Sequence, residues 1–356
     1  MAPDAGGADV TVRILQGDCR EVLSTMPDES VNCIVTSPPY WGLRDYGHAG
    51  QLGLESTPQE YVEKLVAVFE EVRRVLRADG TLWLNLGDSY NAYNGGAGPS
   101  SSLSKGAQTN ERPALPSGYG LRFKGLKPKD LVGIPWRVAF ALQQAGWYLR
   151  QDIIWSKPNP MPESVRDRCT KAHEYIFLLS KSERYYFDAA AIAEPTVLPP
   201  DAACNRWDRD QSALAIPPGN NPQKRPTRTQ GKHSTQDKQS SGHRIVENVA
   251  RARAEGAGHD NPFGSTRNKR SVWTVTTQPF KEAHFATFPP ALIEPCILAG
   301  CPEGGTVLDP FGGAGTTGLV ADRMHRNAIL IELNPEYAAM AEKRIRGDSP
   351  LFAEVA

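Results

Sequence analysis

The chain of 356 residues balances 40 Lys and Arg against 40 Asp and Glu, so no global charge names a partner, and its length suits one large α/β domain carrying an inserted module. Its six cysteines (Cys19, Cys33, Cys169, Cys204, Cys296, Cys301) form no CxxC pair and no zinc-ligand spacing with the seven histidines, which points to no metal and to reduced, core-filling thiols. No run approaches the roughly 18 apolar residues of a membrane span, and MAPDAGGADV lacks the apolar core of a signal peptide, so a soluble, cytoplasmic protein is expected.

Val10 to Leu15 alternates like a strand and leads through Gln16-Gly17-Asp18 into a short helix, Cys19 to Met26. Val31 to Val35 reads as a buried strand. Thr57-Pro58-Gln59-Glu60 is a helix start with a capping-box pair. Tyr61, Leu65, Val68, Val72, Val75 and Leu76 mark one face of that helix, and Gly80 is its expected stop. Thr81 to Leu86 is the next buried strand, closing on Gly87-Asp88. From Asn91 to about Gly120 the chain turns to Gly, Ser, Pro and polar residues, as either a mobile flap or a disordered insertion. A helix (Pro135 to Ala145), a strand (Trp147 to Trp155), a Lys157-Pro158-Asn159-Pro160 turn and a strand (Glu174 to Leu179) follow, with Arg184 to Phe187 as a hairpin partner. Between Asp188 and Arg270 the composition shifts, and residues 201–270 hold 13 Lys/Arg against 7 Asp/Glu. A basic, polar insert suits a phosphate backbone and base edges, the plainer alternative being a solvated loop. The last hundred residues predict a helix (Ala291 to Ala299), a strand (Thr306 to Leu308), a glycine turn and helix, a strand (Asn327 to Ile331), and a helix from Pro335 capped by Asn334.

Two turns carry chemistry. In Thr36-Ser37-Pro38-Pro39-Tyr40-Trp41, two prolines in series cannot continue a ladder, so the backbone must leave the sheet at Ser37. That places a hydroxyl, a free carbonyl on Pro38 and two aromatic faces at a strand's C-terminal edge, where open α/β sheets bind ligands. The second turn, Asp309-Pro310-Phe311-Gly312-Gly313-Ala314-Gly315-Thr316-Thr317-Gly318, joins a strand to a helix, and Glu332 ends the next strand. Gly313, Gly315 and Gly318 spell GxGxxG, which a nicotinamide-binding fold shares, but the turn also fits the Phe-x-Gly-x-Gly pattern for S-adenosylmethionine. Only 24 residues follow Glu332, too few to complete a doubly wound sheet. The earlier strands must dock beside this unit, which brings the SPPY edge next to the glycine turn in a circularly permuted order.

The chain resembles the β-group amino-methyltransferases of DNA, which methylate cytosine N4 or adenine N6. The matching residues are Asp18 in GDC, Thr36 to Tyr40 in TSPPY, Lys157 to Pro160 in KPNP, His173 to Phe177, His284 to Pro289, Asp309 to Thr317, and Glu332; Phe285 departs from the family's usual proline. The resemblance implies a circularly permuted, Rossmann-like S-adenosylmethionine-dependent methyltransferase sheet with helices on both faces. Residues 10–187 form the catalytic half, 188–270 an inserted target-recognition region and 271–348 the cofactor half.

In that frame the Ser37 hydroxyl and Pro38 carbonyl accept the two amine hydrogens, Pro39 stiffens the turn, and Tyr40 stacks on a base rotated out of the duplex. Transfer is a direct in-line displacement, and Ser37 is too weak a base to deprotonate the amine first. Asp309 meets the methionine ammonium, Phe311 the sulfonium region, Glu332 the ribose and Asp18 the adenine amine. Thr36, Phe288, Gly313, Gly315, Thr316 and Asn334 complete the cofactor pocket. Trp41, Lys157, Arg267, Lys269 and Arg270 are the candidate DNA contacts.

Serine at position 37 favours cytosine N4, with adenine N6 as the alternative. Implied partners are duplex DNA and a cognate restriction endonuclease, with no membrane and no metal, in a bacterial or phage-encoded monomer or homodimer. Action on RNA or protein, and a non-catalytic nucleic-acid-binding role, are the competing readings. Pro295-Cys296 and Glu247-Asn248-Val249 mimic motifs of cytosine carbon-5 methyltransferases, but Cys296 falls mid-helix and the order is reversed, so both read as chance matches.

Overall fold

A computed structural model of the chain describes residues 10–42, 50–91, 126–195, 266–278, 287–348 and 354–355. By contacts the chain divides into two units, residues 1–192 with 270–356, and residues 193–269.

The larger unit is built on a sheet of nine strands. They are β1 (Thr11–Gln16), β2 (Val31–Thr36), β3 (Leu76–Leu86), β4 (Tyr148–Ser156), β5 (His173–Ser180), β8 (Val272–Thr274), β9 (Thr306–Asp309), β10 (Asn327–Glu332) and β11 (Glu354–Val355). In the smaller unit, β6 (Glu194–Pro195) pairs antiparallel with β7 (Thr266–Arg267). The order across the large sheet is β11-β1-β10-β9-β2-β3-β5-β4-β8. Only β5 runs antiparallel to its neighbours, β3 and β4; every other pairing in it is parallel. The helices are α1 (Cys19–Thr25), α2 (Pro58–Val75), α3 (Ile134–Gln144), α4 (Pro290–Gly300), α5 (Thr316–Arg323) and α6 (Pro335–Asp348). Alternation along each strand feeds two cores. Ile34, Leu82, Leu84 and Leu308 pack with α1, α2 and α3 on one face, while Cys33, Val35, Trp83 and Val307 pack with α4, α5 and Ile345 of α6 on the other.

The expected permuted order holds: β2, from the first part of the chain, lies directly beside β9, from the last. The N-terminus of α2 forms as its sequence predicts, with Thr57 Oγ1 accepting from the Glu60 N–H at 3.1 Å and Glu60 reaching back to the Ser56 N–H at 3.1 Å. Its end differs. The helix stops at Val75, and Leu76 is already extended and paired with Val31 in β3. A register shift between Val31 and Cys33 absorbs the extra residues before Thr81 pairs with Cys33. Gly80 is thus a packing glycine, since a Cβ there would overlap Leu76 Cδ1 and sit 2.9 Å from the Asn32 carbonyl.

Arg184 to Phe187 form no strand, because β5 is already paired on both sides; Tyr186 instead donates its N–H to the Asp79 carbonyl at 2.8 Å. Asn91, read as the start of a polar loop, is buried at 2% exposure and clasps residues 126–130 through four hydrogen bonds. The rest of the expected 91–120 loop, most of the basic insert, His284, Phe285 and Glu247 to Val249 lie outside the described residues. Among the described residues no helix is long and apolar enough to cross a membrane.

Candidate active site

The C-terminal ends of β1, β10, β9, β2 and β3 open onto one edge, as parallel pairing requires, and the functional turns leave from that edge. Between β2 and β9 a single buried carboxylate joins two of them. Asp309 accepts from Thr36 Oγ1 at 2.6 Å, from Thr317 Oγ1 at 2.6 Å and from the Phe311 N–H at 3.0 Å. It is 1% exposed, and burial pushes its carboxyl up to about 6 despite those three donors. The start of the SPPY turn is therefore tied to the start of the glycine turn, although 273 residues separate them.

Beyond Thr36 the two prolines behave differently. The Pro39 carbonyl accepts from Tyr61 Oη at 2.8 Å, while among the described residues no donor reaches the Pro38 carbonyl. Ser37 is half-buried, with its Oγ 3.5 Å from Tyr40 Oη. The Tyr40 ring lies so close to the end of β3 that a Cβ on Gly87 would sit 2.5 Å from its Cε2. Tyr40 Oη donates to Glu174 Oε2 at 2.7 Å, with Asn85 Oδ1 also at 3.1 Å. Asn85 Nδ2 donates to the same carboxylate oxygen at 3.3 Å and to the Tyr175 carbonyl at 3.1 Å. The other oxygen of Glu174 pairs with Lys157, whose ammonium sits 4.1 Å from the centre of the Trp155 ring. Burial, reinforced by the Glu174 charge, pushes the Tyr40 phenol well above its ordinary range, so it remains a donor.

The glycine turn is held by its neighbours. Gly313 and Gly315 adopt φ of +50° and +76°, and a Cβ on Gly315 would lie 2.7 Å from Ala341 Cβ in α6. Glu332 accepts the Gly313 N–H at 2.7 Å and the Asn334 N–H at 2.8 Å, so this carboxylate shapes the turn as well as ending β10. Asn334 in turn accepts from the Glu336 N–H at 2.8 Å. Thr316 is buried, its hydroxyl accepting from Arg344 at 2.9 Å. Phe311 packs against one core and Phe288 against the other. The Gly17 N–H donates to the Glu332 carbonyl at 2.9 Å, which sets Asp18 beside the end of β10. Asp18 caps α1 through the Arg20 N–H at 2.9 Å and pairs with the Arg20 guanidinium, which holds its carboxyl below the usual range.

The candidate DNA contacts separate in the structure. Trp41 is 2% exposed, its indole N–H donating to the Glu55 carbonyl at 3.0 Å, so it belongs to the core and presents no face to a ligand. The same turn leaves Tyr40 partly buried at the site and sends its neighbour into the core. Lys157 is directed to Glu174. Arg267 and Lys269 flank Glu194 at 3.5 and 3.9 Å in the smaller unit, and the Arg270 carbonyl accepts from the Trp273 indole at 2.7 Å. Cys296 is buried within α4, its thiol 3.7 Å from the Leu292 carbonyl, as its mid-helix position implies. Among the described residues no group of His, Cys, Asp and Glu could hold a metal ion.

Sequence reasoning gave no role to four groups: Thr317, Tyr61, Asn85 and Glu174. The available signal was an ionisable residue opening the apolar strand His173 to Ser180, where burial demands a partner.

The chain is similar to known proteins in sequence and in fold. A family model described as DNA methylase matches residues 31–343. The chain is 42% identical to the Type II methyltransferase M.SmaI of Serratia marcescens, over 94% of this chain and 90% of that protein. It is equally identical to the Type II methyltransferase M.Cfr9I of Citrobacter freundii, over 96% of this chain and 90% of that protein. Among solved structures, the Thermus thermophilus protein TTHA0409 complexed with S-adenosyl-L-methionine shares the fold at a TM-score of 0.53 and 23% identity, covering 97% of this chain and 99% of that one. The cytosine-N4-specific PvuII DNA methyltransferase does so at 0.52 and 21%, covering 96% and 90%. The chain belongs to the N6/N4 DNA methylase family.

Proposed function

We propose that the protein transfers the methyl group of S-adenosylmethionine to the exocyclic N4 of cytosine at a specific site in duplex DNA, as the modification enzyme of a Type II system. The observation that carries the proposal is the Thr36–Asp309–Thr317 linkage, which clamps the SPPY turn against the glycine turn while the Pro38 carbonyl has no donor among the described residues. The names of the 42% identical relatives support the Type II assignment, and serine at position 37 supports cytosine over adenine.

The cofactor fits the turn. Left-handed glycines at 313 and 315 let a ligand approach the backbone, and Glu332 and Asp18 end adjacent strands with carboxylates. Glu332 and Asn334 would hold the ribose side, Asp18 and Phe288 the adenine, and Phe311 the region of the sulfur. Asp309 would face the ammonium, as part of the wall that Thr36, Thr316 and Thr317 brace. S-adenosylmethionine, when bound, supplies an electrophilic sulfonium methyl.

The chain's own residues do the rest. The target base must leave the duplex to reach the edge of the sheet, and the Tyr40 ring, fixed by its hydroxyl and by Gly87, gives it a stacking face. The exocyclic amine is conjugated with its ring and poorly nucleophilic. Ser37 Oγ and the Pro38 carbonyl, both acceptors, engage its two hydrogens and favour the tetrahedral nitrogen that develops as the methyl arrives in line. Holding the amine and the methyl donor on one sheet edge supplies the alignment.

The test is transfer from labelled S-adenosylmethionine to mixed-sequence duplex DNA, with the product digested to nucleosides and identified by mass. N4-methylcytosine is expected. N6-methyladenine would overturn the base assignment, and no label on DNA with cofactor binding intact would move the substrate to RNA or protein, or leave a binding role.

A further inference from the structure

Methyl transfer to a neutral amine builds positive charge on the nitrogen, and one N–H bond must break as that charge develops. Ser37 is placed to receive that proton but too weak a base to keep it. We infer that the proton leaves through Tyr40 to Glu174, along a hydrogen-bonded chain that ends at the Lys157 ammonium. The inference rests on the amino-methyltransferase reading and adds the route that the reading lacks.

The donor directions agree at every link. If Ser37 Oγ accepts from the amine, its own proton must point elsewhere, and Tyr40 Oη lies 3.5 Å away. If Tyr40 Oη accepts from Ser37, its proton points to Glu174 Oε2, at 2.7 Å. The longer first link is of the kind that tightens when substrate fills a site. Asn85 Nδ2, donating to Glu174 Oε2 and to the Tyr175 carbonyl, fixes the carboxylate in line. The high phenol affinity for its proton keeps Tyr40 neutral, a conduit that passes one proton on as it takes another.

The step balances. The S–CH3 bond breaks as the N–CH3 bond forms, the bonding pair staying on sulfur, and the sulfonium becomes a neutral thioether. As the charge develops, the nitrogen gives its proton to Ser37 Oγ, Ser37 gives its own to Tyr40 Oη, and Tyr40 gives its own to Glu174. The amine loses its charge and the carboxylate becomes a neutral acid beside Lys157. Both side chains of that pair are partly open, at 18% and 17% exposure, so the proton can pass to solvent. The Lys157–Glu174 ion pair re-forms as the proton departs, which resets the site.

Glu174→Gln separates proton acceptance from positioning, because the amide oxygen can still accept from Tyr40 but cannot take a proton. In single-turnover methyl transfer with saturating cofactor and DNA, the variant is expected to lose about 10²–10⁴-fold in rate. Its affinities for S-adenosylmethionine and DNA should stay near those of the unchanged protein. The solvent deuterium isotope effect on that step in the unchanged protein should shrink in the variant. Tyr40→Phe, which keeps the ring, should show the same loss, and the double variant no further loss. A Glu174→Gln rate and solvent isotope effect equal to those of the unchanged protein would overturn the relay while leaving the methyltransferase reading intact. So would additive losses in the double variant. If Glu174→Gln fails to fold, Tyr40→Phe carries the same readouts. Absence of transfer by the unchanged protein on any DNA would remove the reading and the relay together.

Discussion

Gly87→Ala tests whether the position of one ring governs the rate. Gly87 lies outside the left-handed region, so alanine is conformationally permitted and the perturbation is steric alone. The new Cβ would meet Tyr40 Cε2 at 2.5 Å, Cδ2 at 3.0 Å and Cζ at 3.2 Å, where ordinary contacts begin at 3.4 Å. The ring must retreat by about 1 Å, enough to spoil the 2.7 Å bond to Glu174 and to move the face offered to the base. Overpacking of this size costs roughly 1–3 kcal/mol of stability, within the margin of a domain holding about 5–15 kcal/mol, so the variant should fold. A displacement of about 1 Å at a reacting pair typically costs about 10²-fold in rate. The assay is single-turnover methyl transfer at saturating cofactor and DNA, with cofactor affinity by calorimetry and a thermal melt as the fold check. The expected result is a rate loss near that magnitude with unchanged cofactor affinity. A folded variant with an unchanged rate would refute the claim that close approach to Gly87 sets the ring, and a parallel loss of cofactor affinity would show that the two turns do not act separately.

Three further outcomes follow from the same geometry. Asp309 titrates near 6 in the folded chain against an ordinary carboxylate value near 4, so the folded state holds its proton more tightly than the unfolded chain. Its contribution to stability therefore falls as pH rises from about 4 through 6, by ~3 kcal/mol. The melting temperature relative to Asp309→Asn should decline over that interval, and a flat difference would remove the buried-carboxylate account. Glu332→Gln presents an amide N–H to one of two backbone donors that the carboxylate now satisfies, so calorimetry should show cofactor affinity falling at least about tenfold, with a loss of ~1–3 kcal/mol in stability. Trp41→Ala should cost about 3–5 kcal/mol in a denaturant melt without a selective loss of DNA affinity, and the reverse pattern would restore Trp41 as a DNA contact.

Much of this architecture is legible in the sequence because turn chemistry punctuates it. The double proline after Ser37 and the glycines after Asp309 each mark the end of a parallel strand, and the SPPY turn preceding the glycine turn along the chain matches the permuted order that the pairing of β2 with β9 shows. What escapes reading lies where one pattern serves two structures. Leu76 continues the apolar face of α2 and equally suits a buried strand, and only pairing with Val31 decides between them. Trp41 and Tyr40 are adjacent aromatics in one turn, yet the backbone sends one into the core and the other to the site. Glu174 stands in a recognised motif without a legible role, because its partners, Tyr40, Asn85 and Lys157, come from three separate stretches of chain.

The pairing of β2 with β9 has a consequence for the chain's history. Synthesis proceeds from the N-terminus at about 5–20 residues per second, so Thr36 emerges on the order of tens of seconds before Asp309, 273 residues later. During that interval β1 lacks β10 and β11, and β2 lacks β9, which leaves strand edges and apolar faces open to other chains. Pairings of such long sequence separation also make for slow closure. The two turns can meet only once β9 has been made and docks on β2, so the edge that joins them cannot form while the chain is still short of Asp309.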